Sequence, residues 1–266
     1  MEIEKKSDNK ISFNLSPSSL KVFYQSPLLF YLTYIAKIPD DTPTPLCYGL
    51  SGNIVHQCLE KYAKKEMDKD GACLYLINGW EKLNLDNLAD LNGNPLNQTD
   101  YLMALINGIK FIDQHENHIC EETISFPFKE NENMKIGLKG VMDLQTTKKG
   151  DNSPIVIDFK TSNNLRQDRN FEYQALFYNL LIYKKKNTLP SKTIFYYLKP
   201  GLSKCYEFNL EQIEKFHQEL HNVAEKLILY GTNIENYPIG DIESVFNSKR
   251  QACLKEIERR RKLDLN

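Results

Sequence analysis

Residues 137–161, GLKGVMDLQTTKKGDNSPIVIDFKT, decide the fold because they contain two apolar runs joined by a polar turn. The runs are rich in the β-branched and aliphatic residues that suit pleated strands, and each delivers one aspartate, Asp143 or Asp158. If the turn centres on Gly150 and Asp151, antiparallel pairing brings the two aspartates opposite each other, with Cβ atoms about 5 Å apart. Carboxylates this close repel each other, and a divalent metal ion commonly offsets such repulsion. The stretch therefore predicts a β-hairpin that contains an acidic metal site.

The composition is that of a globular protein with a sizeable core. Of its 266 residues, 41% are hydrophobic and 26% are charged, and the formal net charge is −1. No apolar run is long enough to cross a bilayer, and the charged N-terminus, MEIEKKSDNK, lacks the apolar segment of a signal peptide. We therefore expect a cytoplasmic protein without a membrane partner.

The net charge excludes a protein coated in positive charge, so binding to nucleic acid would rely on local basic patches. The candidate patches are Lys148 with Lys149, Arg166 with Arg169, residues 184–186 and residues 259–262. Each of these runs also has the composition of an ordinary solvated surface, so none of them identifies a binding site by itself.

The order of helix and strand signals predicts the architecture. Helical signals cover residues 16–38 with a break at Pro27, then 48–69, 71–119 in two pieces, 171–186, 210–230 and 242–262, and strand signals cover 121–129, 134–147, 155–160, 193–198 and 205–208. Residues before Leu15 have the character of a polar tail. This order favours one mixed α/β domain over residues 1–266, in which helices flank a central mixed β-sheet and residues 210–266 form a helical C-terminal extension. The alternative is two subdomains, a helical insert over 71–119 and an α/β core.

The second strand of the hairpin directs a carboxylate and an ammonium to one point. Asp158 and Lys160 are two residues apart and face the same side of the sheet, while Ile157 and Phe159 face the opposite, packed side. With Asp143 across the hairpin, the site has two oxygen ligands and one cation, a combination that suits Mg²⁺ or Mn²⁺ and phosphodiester cleavage. Taken alone, an Asp-X-Lys on a strand is equally typical of an edge-strand ion pair that contributes little.

Two helices offer further polar residues in pairs. His56 and Glu60 lie one turn apart beside an apolar stripe, and Gln174 and Tyr178 have the same spacing on the helix after the hairpin. A lone histidine in such a position more often packs or hydrogen-bonds than binds a metal. Its meaning therefore depends on which other residues converge with it.

Four motifs follow one another along the chain: Gly-x-x-x-His at 52–56, an aspartate after Gly-Val-Met at 143, Ile-Asp-Phe-Lys-Thr at 157–161 and Gln-x-x-x-Tyr at 174–178. In this order they closely resemble the PD-(D/E)XK nuclease superfamily, specifically its RecB-like branch, which includes AddAB-type recombination nucleases and the exonucleases of CRISPR adaptation. The opening Leu-Ser-Pro-Ser-Ser-Leu and the Ser26-Pro27 pair are similar to the N-terminal helical motif of that branch. The resemblance runs from about residue 15 to residue 182.

The resemblance implies a restriction-endonuclease-like fold and a role for each matching residue. His56 would be the additional metal ligand that is typical of the RecB-like branch. Asp143 and Asp158 would be the metal-binding and catalytic carboxylates, and Lys160 would be the catalytic lysine.

The same resemblance implies supporting roles around these residues. Gln174 would help to order the site, and Tyr178 would contact DNA or support the site. Glu60 is a candidate outer partner of the histidine one turn before it, and Arg166 and Arg169 are candidate DNA contacts.

One departure from the relatives concerns their iron–sulfur cluster. Many relatives hold a [4Fe–4S] cluster through one cysteine of an N-terminal Cys-Pro pair and three cysteines near the C-terminus. Here the pair is Ser26-Pro27 and the C-terminal region offers only Cys253, so four thiolates cannot be assembled in the expected places. We predict no iron–sulfur cluster and expect the aromatic N-terminal helices to pack against the final helix instead.

Together these features predict a metal-dependent DNA nuclease with Mg²⁺ or Mn²⁺ as cofactor, an exonuclease of recombination, repair or phage replication in a bacterial or phage-infected cell. Its substrate would be single-stranded DNA or a duplex end. No GxxxxGK[ST] phosphate loop occurs in the sequence, so a separate helicase or recombination partner would supply any unwinding. The alternatives are a non-catalytic DNA-binding or scaffolding subunit that keeps the nuclease fold, and a regulatory protein with an incidental Asp-X-Lys.

Overall fold

A computed structural model describes residues 10–148, 150–162 and 169–263, and the side chains of residues 151, 152, 169 and 170 lie outside this description. The strands are β1 (Ile11–Leu15), β2 (His115–Glu130), β3 (Met134–Lys148), β4 (Asp151–Lys160), β5 (Lys192–Tyr197) and β6 (Leu202–Tyr206). The α-helices are α1 (Pro17–Gln25), α2 (Pro27–Phe30), α3 (Leu46–Ala63), α4 (Lys69–Lys82), α5 (Gln98–Ile112), α6 (Arg169–Lys186), α7 (Leu210–Tyr230) and α8 (Arg250–Leu263). Within these ranges, no helix combines the length and the apolar character that a membrane span requires.

The strands form a six-stranded mixed sheet within the described part of the chain. Along the sheet the order is β1-β3-β4-β5-β6, and β2 also pairs with β3. The pairs β3–β4 and β5–β6 are antiparallel, whereas β1–β3 and β4–β5 are parallel. Parallel neighbours need a crossover connection, and α6 lies in the one from β4 to β5. The predicted fold class is confirmed: helices flank a central mixed sheet, consistent with a restriction-endonuclease-like fold.

The hairpin of β3 and β4 has the register that the sequence predicts. Leu144 pairs with Ile157, so the residues next to them, Asp143 and Asp158, are neighbours at the end of this ladder. Gly150 occupies the turn with a φ of 76°, a left-handed conformation in which glycine avoids the steric cost of a Cβ atom. The two predicted carboxylates are therefore brought together by strand pairing alone.

The chain divides into two compact units. One unit contains the described residues of Met1–Thr44, Ser125–Lys139 and Lys215–Asn266, and the other contains those of Pro45–Ile124 and Gly140–Glu214. The second unit includes α3, α4, α5, α6 and the part of the hairpin from Gly140 onward, and hence all described residues of the predicted site.

The core of this second unit fixes α3 against α4, α5 and the sheet. Leu59, Trp80 and Leu105 belong to one buried cluster that also contains hairpin residues of β3 and β4. Gly108 allows α5 to approach closely, because a Cβ atom there would lie 2.6 Å from Leu59 Cδ2 and 2.8 Å from Leu198 Cδ2. This packing sets the position of α3, the helix that contains His56.

In the first unit, the N-terminal helices pack against the C-terminal segment. Leu28, Leu29 and Leu32 form a buried cluster with Ile242 and Cys253. The predicted packing between the N-terminal helices and the final helix is confirmed, and the cysteine near the C-terminus is part of this apolar cluster.

Hydrogen bonds reinforce the same contact. The Ser26 hydroxyl accepts a hydrogen bond from the Leu29 N–H at 3.1 Å, which caps α2, and it donates one to the Ile239 carbonyl. The Asp41 carboxylate accepts hydrogen bonds from the N–H groups of Gln251 at 3.1 Å and Ala252 at 2.8 Å, in the first turn of α8. Ser26 thus joins the two ends of the chain at the position where the resemblance leads one to expect a cysteine.

Three secondary-structure predictions are wrong. The segment before Leu15 is strand β1 and not a polar tail, because its alternating apolar residues find a parallel partner in β3. Residues 115–119 extend β2 and are not helical. The final helix begins at Arg250 and not at residue 242, since Asn247 Oδ1 accepts a hydrogen bond from the Lys249 N–H and Asp41 caps the first turn.

Candidate active site and metal centre

The ends of β3 and β4 place two unlike carboxylates side by side. Asp143 Oδ2 accepts a hydrogen bond from the Phe159 N–H at 2.7 Å, which ties the aspartate to the neighbouring strand. The Asp158 side chain is 5% exposed, whereas the Asp143 side chain is 17% exposed. Both carboxylates line one cavity, and the more exposed one lies nearer to solvent.

Helix α3 adds an imidazole to this pair. His56 Nδ1 lies 3.3 Å from Asp143 Oδ2. Burial disfavours the protonated imidazole, but the hydrogen bond and charge of Asp143, together with the charge of Asp158, prevail and raise the pKa of His56. Gly52, one turn earlier, allows the helix to approach the end of β4, because a Cβ atom there would lie 3.3 Å from Thr161 Oγ1.

Helix α6 supplies two donors that hold the buried aspartate. Asp158 Oδ1 accepts hydrogen bonds from Gln174 Nε2 at 2.9 Å and from the Tyr178 hydroxyl at 3.0 Å. Gln174 Nε2 also lies 2.7 Å from the same hydroxyl oxygen. The two residues reach the site from one face of the helix, as their spacing predicts.

The second oxygen of Asp158 faces the lysine. Asp158 Oδ2 lies 2.5 Å from Lys160 Nζ, and Lys160 also donates to Gln174 Oε1 at 3.2 Å. The ammonium is 5.3 Å from the ring centroid of Phe171 and 5.2 Å from that of Phe195, within the range of cation–π attraction. The lysine is thus fixed by a carboxylate, an amide and two rings.

Burial controls the protonation of this group. It raises the pKa of Asp158, an effect that the charge of Lys160 opposes and that the charge of Asp143 reinforces. The pKa of Tyr178 lies well above its ordinary value because of burial and the charge of Asp158, so its hydroxyl stays protonated and can donate. Asp158 Oδ2 makes an ion contact with Lys160 and has no hydrogen bond of good geometry in the described part of the chain.

The structure adds a carboxylate that the sequence did not single out. Glu121 on β2 joins His56 and Asp143 in a cluster whose ligand atoms all lie within 4.8 Å of one another. Its φ of 50° is uncommon for a residue other than glycine. Burial and the charges of Asp143 and Glu60 raise the pKa of Glu121. No feature of the local sequence distinguishes it from Glu122, so only the fold could identify it.

This donor set fits a divalent cation. One imidazole nitrogen and the carboxylate oxygens of Glu121, Asp143 and Asp158 are ligand types that Mn²⁺ and Mg²⁺ accept. The close approach of the Glu121 and Asp143 carboxylates calls for added positive charge.

A cavity of about 820 Å³ opens over these residues. Glu60 lines it as well, and its carboxylate pairs with Lys64 at 2.5 Å. Arg166 lies outside the described residues, and Arg169 begins α6 with its side chain outside the description. The roles of Glu60 and of these two arginines stay predictions.

Two of the basic runs take part in ion pairs of their own. Lys185 lies 2.6 Å from Glu122, and Arg259 and Arg260 both contact Glu256 at 2.8 Å. Part of the positive charge in residues 184–186 and 259–262 is therefore balanced within the protein, as expected for a solvated surface.

A family model described as the PD-(D/E)XK nuclease superfamily matches residues 14–242. The chain belongs to this superfamily. The matched range includes α3, the hairpin and α6, the elements that supply the residues gathered around the cavity. Membership supports a metal-dependent nuclease that acts on DNA.

One solved structure similar to this superfamily member is described as "Crystal structure of SSO0001". It is 13% identical in sequence, the match covers 84% of this chain and 78% of that chain, and the TM-score is 0.32. No curated protein matches the sequence.

Proposed function

We propose that this superfamily member is a metal-dependent deoxyribonuclease of the RecB-like branch, an exonuclease that acts in recombination, repair or phage replication. The observation that supports this proposal best is the convergence of His56, Asp143, Asp158 and Lys160 on one cavity. A protein that kept the fold only as a scaffold would have no need to preserve all four side chains in contact. We further propose one nuclease domain, with a helical insert that begins near residue 71 and ends before β2, and with residues 210–266 as a C-terminal extension.

The proposed cofactor is Mg²⁺ or Mn²⁺, held by His56, Asp143 and Asp158 with Glu121 beside them. A bound ion of this kind supplies Lewis-acid polarisation of a phosphoryl oxygen and lowers the pKa of a coordinated water. Phosphodiester hydrolysis needs both effects, because the reaction builds negative charge on the phosphoryl group and requires an activated water.

Lys160 contributes a fixed positive charge to the same reaction. Its side chain is 22% exposed, so the ammonium borders the cavity without being solvated freely. From there it can orient the attacking water and stabilise the charge that develops on the phosphoryl oxygens. Its contacts with Asp158 and Gln174 keep it in this position before substrate binds.

Gln174 and Tyr178 act as positioning residues in this proposal. They fix Asp158 Oδ1 by two hydrogen bonds, so that Oδ2 points to the lysine and the cation site. A site whose ligands are held by a surrounding set of hydrogen bonds needs less reorganisation when the cation and substrate bind.

The proposed substrate is a DNA single strand or duplex end, and a separate helicase or recombination partner would supply unwinding in the cytoplasm of a bacterial or phage-infected cell. The test is digestion of end-labelled linear and circular DNA, single- and double-stranded, with Mn²⁺ or Mg²⁺ and with EDTA. We expect cleavage that EDTA abolishes and that Asp158→Ala and Lys160→Ala remove without unfolding the chain. Resistant circles would establish exonuclease action.

Lys204→Ala is the matched control, since Lys204 also lies over an aromatic ring of the sheet but does not line the cavity. Wild-type cleavage in both Asp158→Ala and Lys160→Ala would refute the assignment. DNA binding without any cleavage by the wild-type protein would favour the scaffolding alternative.

A further inference from the structure

Gln57 follows the proposed metal ligand His56 on α3, and both side chains line the cavity. Consecutive Cα atoms are about 3.8 Å apart, so the two side chains leave the helix at neighbouring points of the cavity wall. Gln57 is exposed, and its amide is therefore accessible to a molecule that enters the cavity.

Tyr75 on α4 fixes the orientation of this amide. Its hydroxyl donates a hydrogen bond to Gln57 Oε1 at 3.3 Å. The Tyr75 ring lies 5.7 Å from Lys61 Nζ, within the range of cation–π attraction, and Lys61 is one turn after Gln57 on α3. The amide oxygen is thus used as an acceptor, whereas no group in the described part of the chain accepts a hydrogen bond from Gln57 Nε2.

The charges of the cavity wall favour a neutral donor at this point. Four carboxylates line the cavity, whereas Lys160 is the only lysine or arginine among the described residues of its lining. A cation at position 57 would be attracted to the carboxylates and would compete with the metal ion for them. A glutamine amide donates to a phosphate oxygen without carrying charge, as it does in many protein–DNA complexes. Gln57 can therefore hold a phosphodiester beside the acidic wall without weakening the metal site.

We propose that Gln57, oriented by Tyr75, donates from Nε2 to a phosphodiester next to the scissile one and so positions the strand. A contact to a group that does not react stabilises the bound substrate and the transition state equally, so it lowers KM and leaves kcat unchanged. Phosphate contacts fix the register of a strand without reading its bases, so the effect is the same for all sequences. The proposal rests on the proposed nuclease function and names a positioning residue of that site.

Cleavage and binding together test this contact. The probes are a short labelled oligothymidylate and a labelled blunt duplex, both with Mn²⁺. Cleavage by the otherwise wild-type protein gives KM and kcat, and fluorescence anisotropy in a Lys160→Met background gives the Kd without cleavage. The variants are Gln57→Leu, Gln57→Glu and Tyr75→Phe.

Two matched controls repeat the chemical changes away from the cavity. Gln218→Glu makes the same charge change at an exposed glutamine of α7. Tyr62→Phe removes another tyrosine hydroxyl next to α3, one that donates to Asp113 at 2.7 Å. Neither residue lines the cavity, so neither control should change KM or Kd.

Gln57→Leu should raise KM and Kd by about 10-fold, as expected for the loss of one hydrogen bond to a charged group, with kcat unchanged. Gln57→Glu should raise both by more, because a carboxylate repels the phosphodiester. Tyr75→Phe should raise both by less, because the amide remains but is no longer oriented. The affinity for Mn²⁺ in calorimetry and the melting temperature of Gln57→Leu should equal those of the wild type.

A methylphosphonate scan identifies the phosphodiester that Gln57 contacts. Each phosphate of the oligothymidylate is replaced in turn by a neutral methylphosphonate, and the Kd is measured in the Lys160→Met background with and without Gln57→Leu. At one position the replacement should weaken binding when Gln57 is present and have little further effect in Gln57→Leu, as coupled groups do. Equal effects in both proteins at every position would overturn the contact.

Unchanged KM and Kd in Gln57→Leu, or a lower kcat with KM unchanged, would also overturn the proposal. If the wild-type protein cleaves DNA and Gln57→Leu leaves KM and Kd unchanged, the contact alone fails. If the wild-type protein cleaves no DNA with Mn²⁺ or Mg²⁺ and Gln57→Leu weakens binding as expected, the nuclease assignment alone fails. A protein that neither binds nor cleaves DNA would overturn both.

Discussion

Substitution of Lys160 by methionine should separate catalysis from metal binding. The methionine keeps an apolar stem near the rings of Phe171 and Phe195, whereas the ammonium, 2.5 Å from Asp158 Oδ2 and 3.2 Å from Gln174 Oε1, is removed. Loss of one preorganised charge that stabilises the transition state costs about 2.7–4 kcal/mol, or about 10²–10³ in kcat. The affinity for Mn²⁺ should not fall, because a neighbouring positive charge has been taken away.

The same substitution has a calculable effect on stability without metal. Asp158 is 4% exposed, and its Oδ2 loses the ammonium that is its close charged contact. A buried polar atom left unpaired costs about 1–3 kcal/mol, and each kcal/mol lowers Tm by about 2–4 °C for a chain of this size. Saturating Mn²⁺ should reduce the difference from the wild type, since the cation replaces the ammonium as partner of the carboxylate.

Three measurements decide the outcome: single-turnover cleavage of end-labelled DNA, calorimetric titration with Mn²⁺, and thermal melting with and without the metal. Lys204→Met is the control, because its ammonium lies 5.0 Å from the Tyr206 ring on β6 and outside the lining of the cavity. A wild-type cleavage rate in Lys160→Met would refute the catalytic role. A markedly weaker Mn²⁺ affinity would show that the lysine arranges the ligands instead.

Four further outcomes are expected. Glu121→Gln should weaken Mn²⁺ binding by about 10-fold or more. The melting temperature of the metal-free protein should stay unchanged or rise, because the substitution removes one of two like charges from the cluster. An unchanged Mn²⁺ affinity in calorimetry would exclude Glu121 as a ligand. Because the pKa of His56 is raised, protons compete with the metal for the imidazole in mildly acidic solution. The affinity for Mn²⁺ should therefore rise with pH until the imidazole is neutral. Binding should also release protons, which calorimetry in buffers of different ionisation enthalpy detects. Asp41→Ala should cost about 0.5–2 kcal/mol in urea unfolding by removing the cap of α8, with Mn²⁺ affinity as the quantity that must not change. Hydrogen bonds from Arg259 lower the pKa of Glu256 to about 2. The ionised carboxylate therefore contributes its full stabilisation above its unfolded pKa of about 4.3, and this stabilisation is lost as the pH falls toward 2. Glu256→Gln should remove that part of the pH dependence of unfolding, and an unchanged acid profile would contradict this role of Glu256.

The motif residues that converge on the cavity were predictable because each motif lies within one helix, one strand or one hairpin. Strand alternation places Asp158 and Lys160 on one side of β4, and helical spacing places Gln174 and Tyr178 on one face of α6. The turn chemistry around Gly150 sets the register of the hairpin. These features depend on neighbours within one element or one hairpin, so the sequence encodes them directly.

Other features depend on segments that are distant in the chain. Strand β1 is too short to be recognised without its partner β3, and the start of α8 is set by Asp41, which lies more than two hundred residues away. The local signals at residues 242–249 favour helix, and hydrogen bonds from remote residues override them.

The sequence alone determined a mixed α/β fold and the pairing of Asp143 with Asp158, because both follow from local periodicity and one turn. Only the tertiary structure decided that Glu121, and not Glu122, faces His56 and Asp143. Adjacent strand residues point to opposite sides, and which side meets α3 is fixed by the packing of that helix against the sheet and not by any property of the two glutamates.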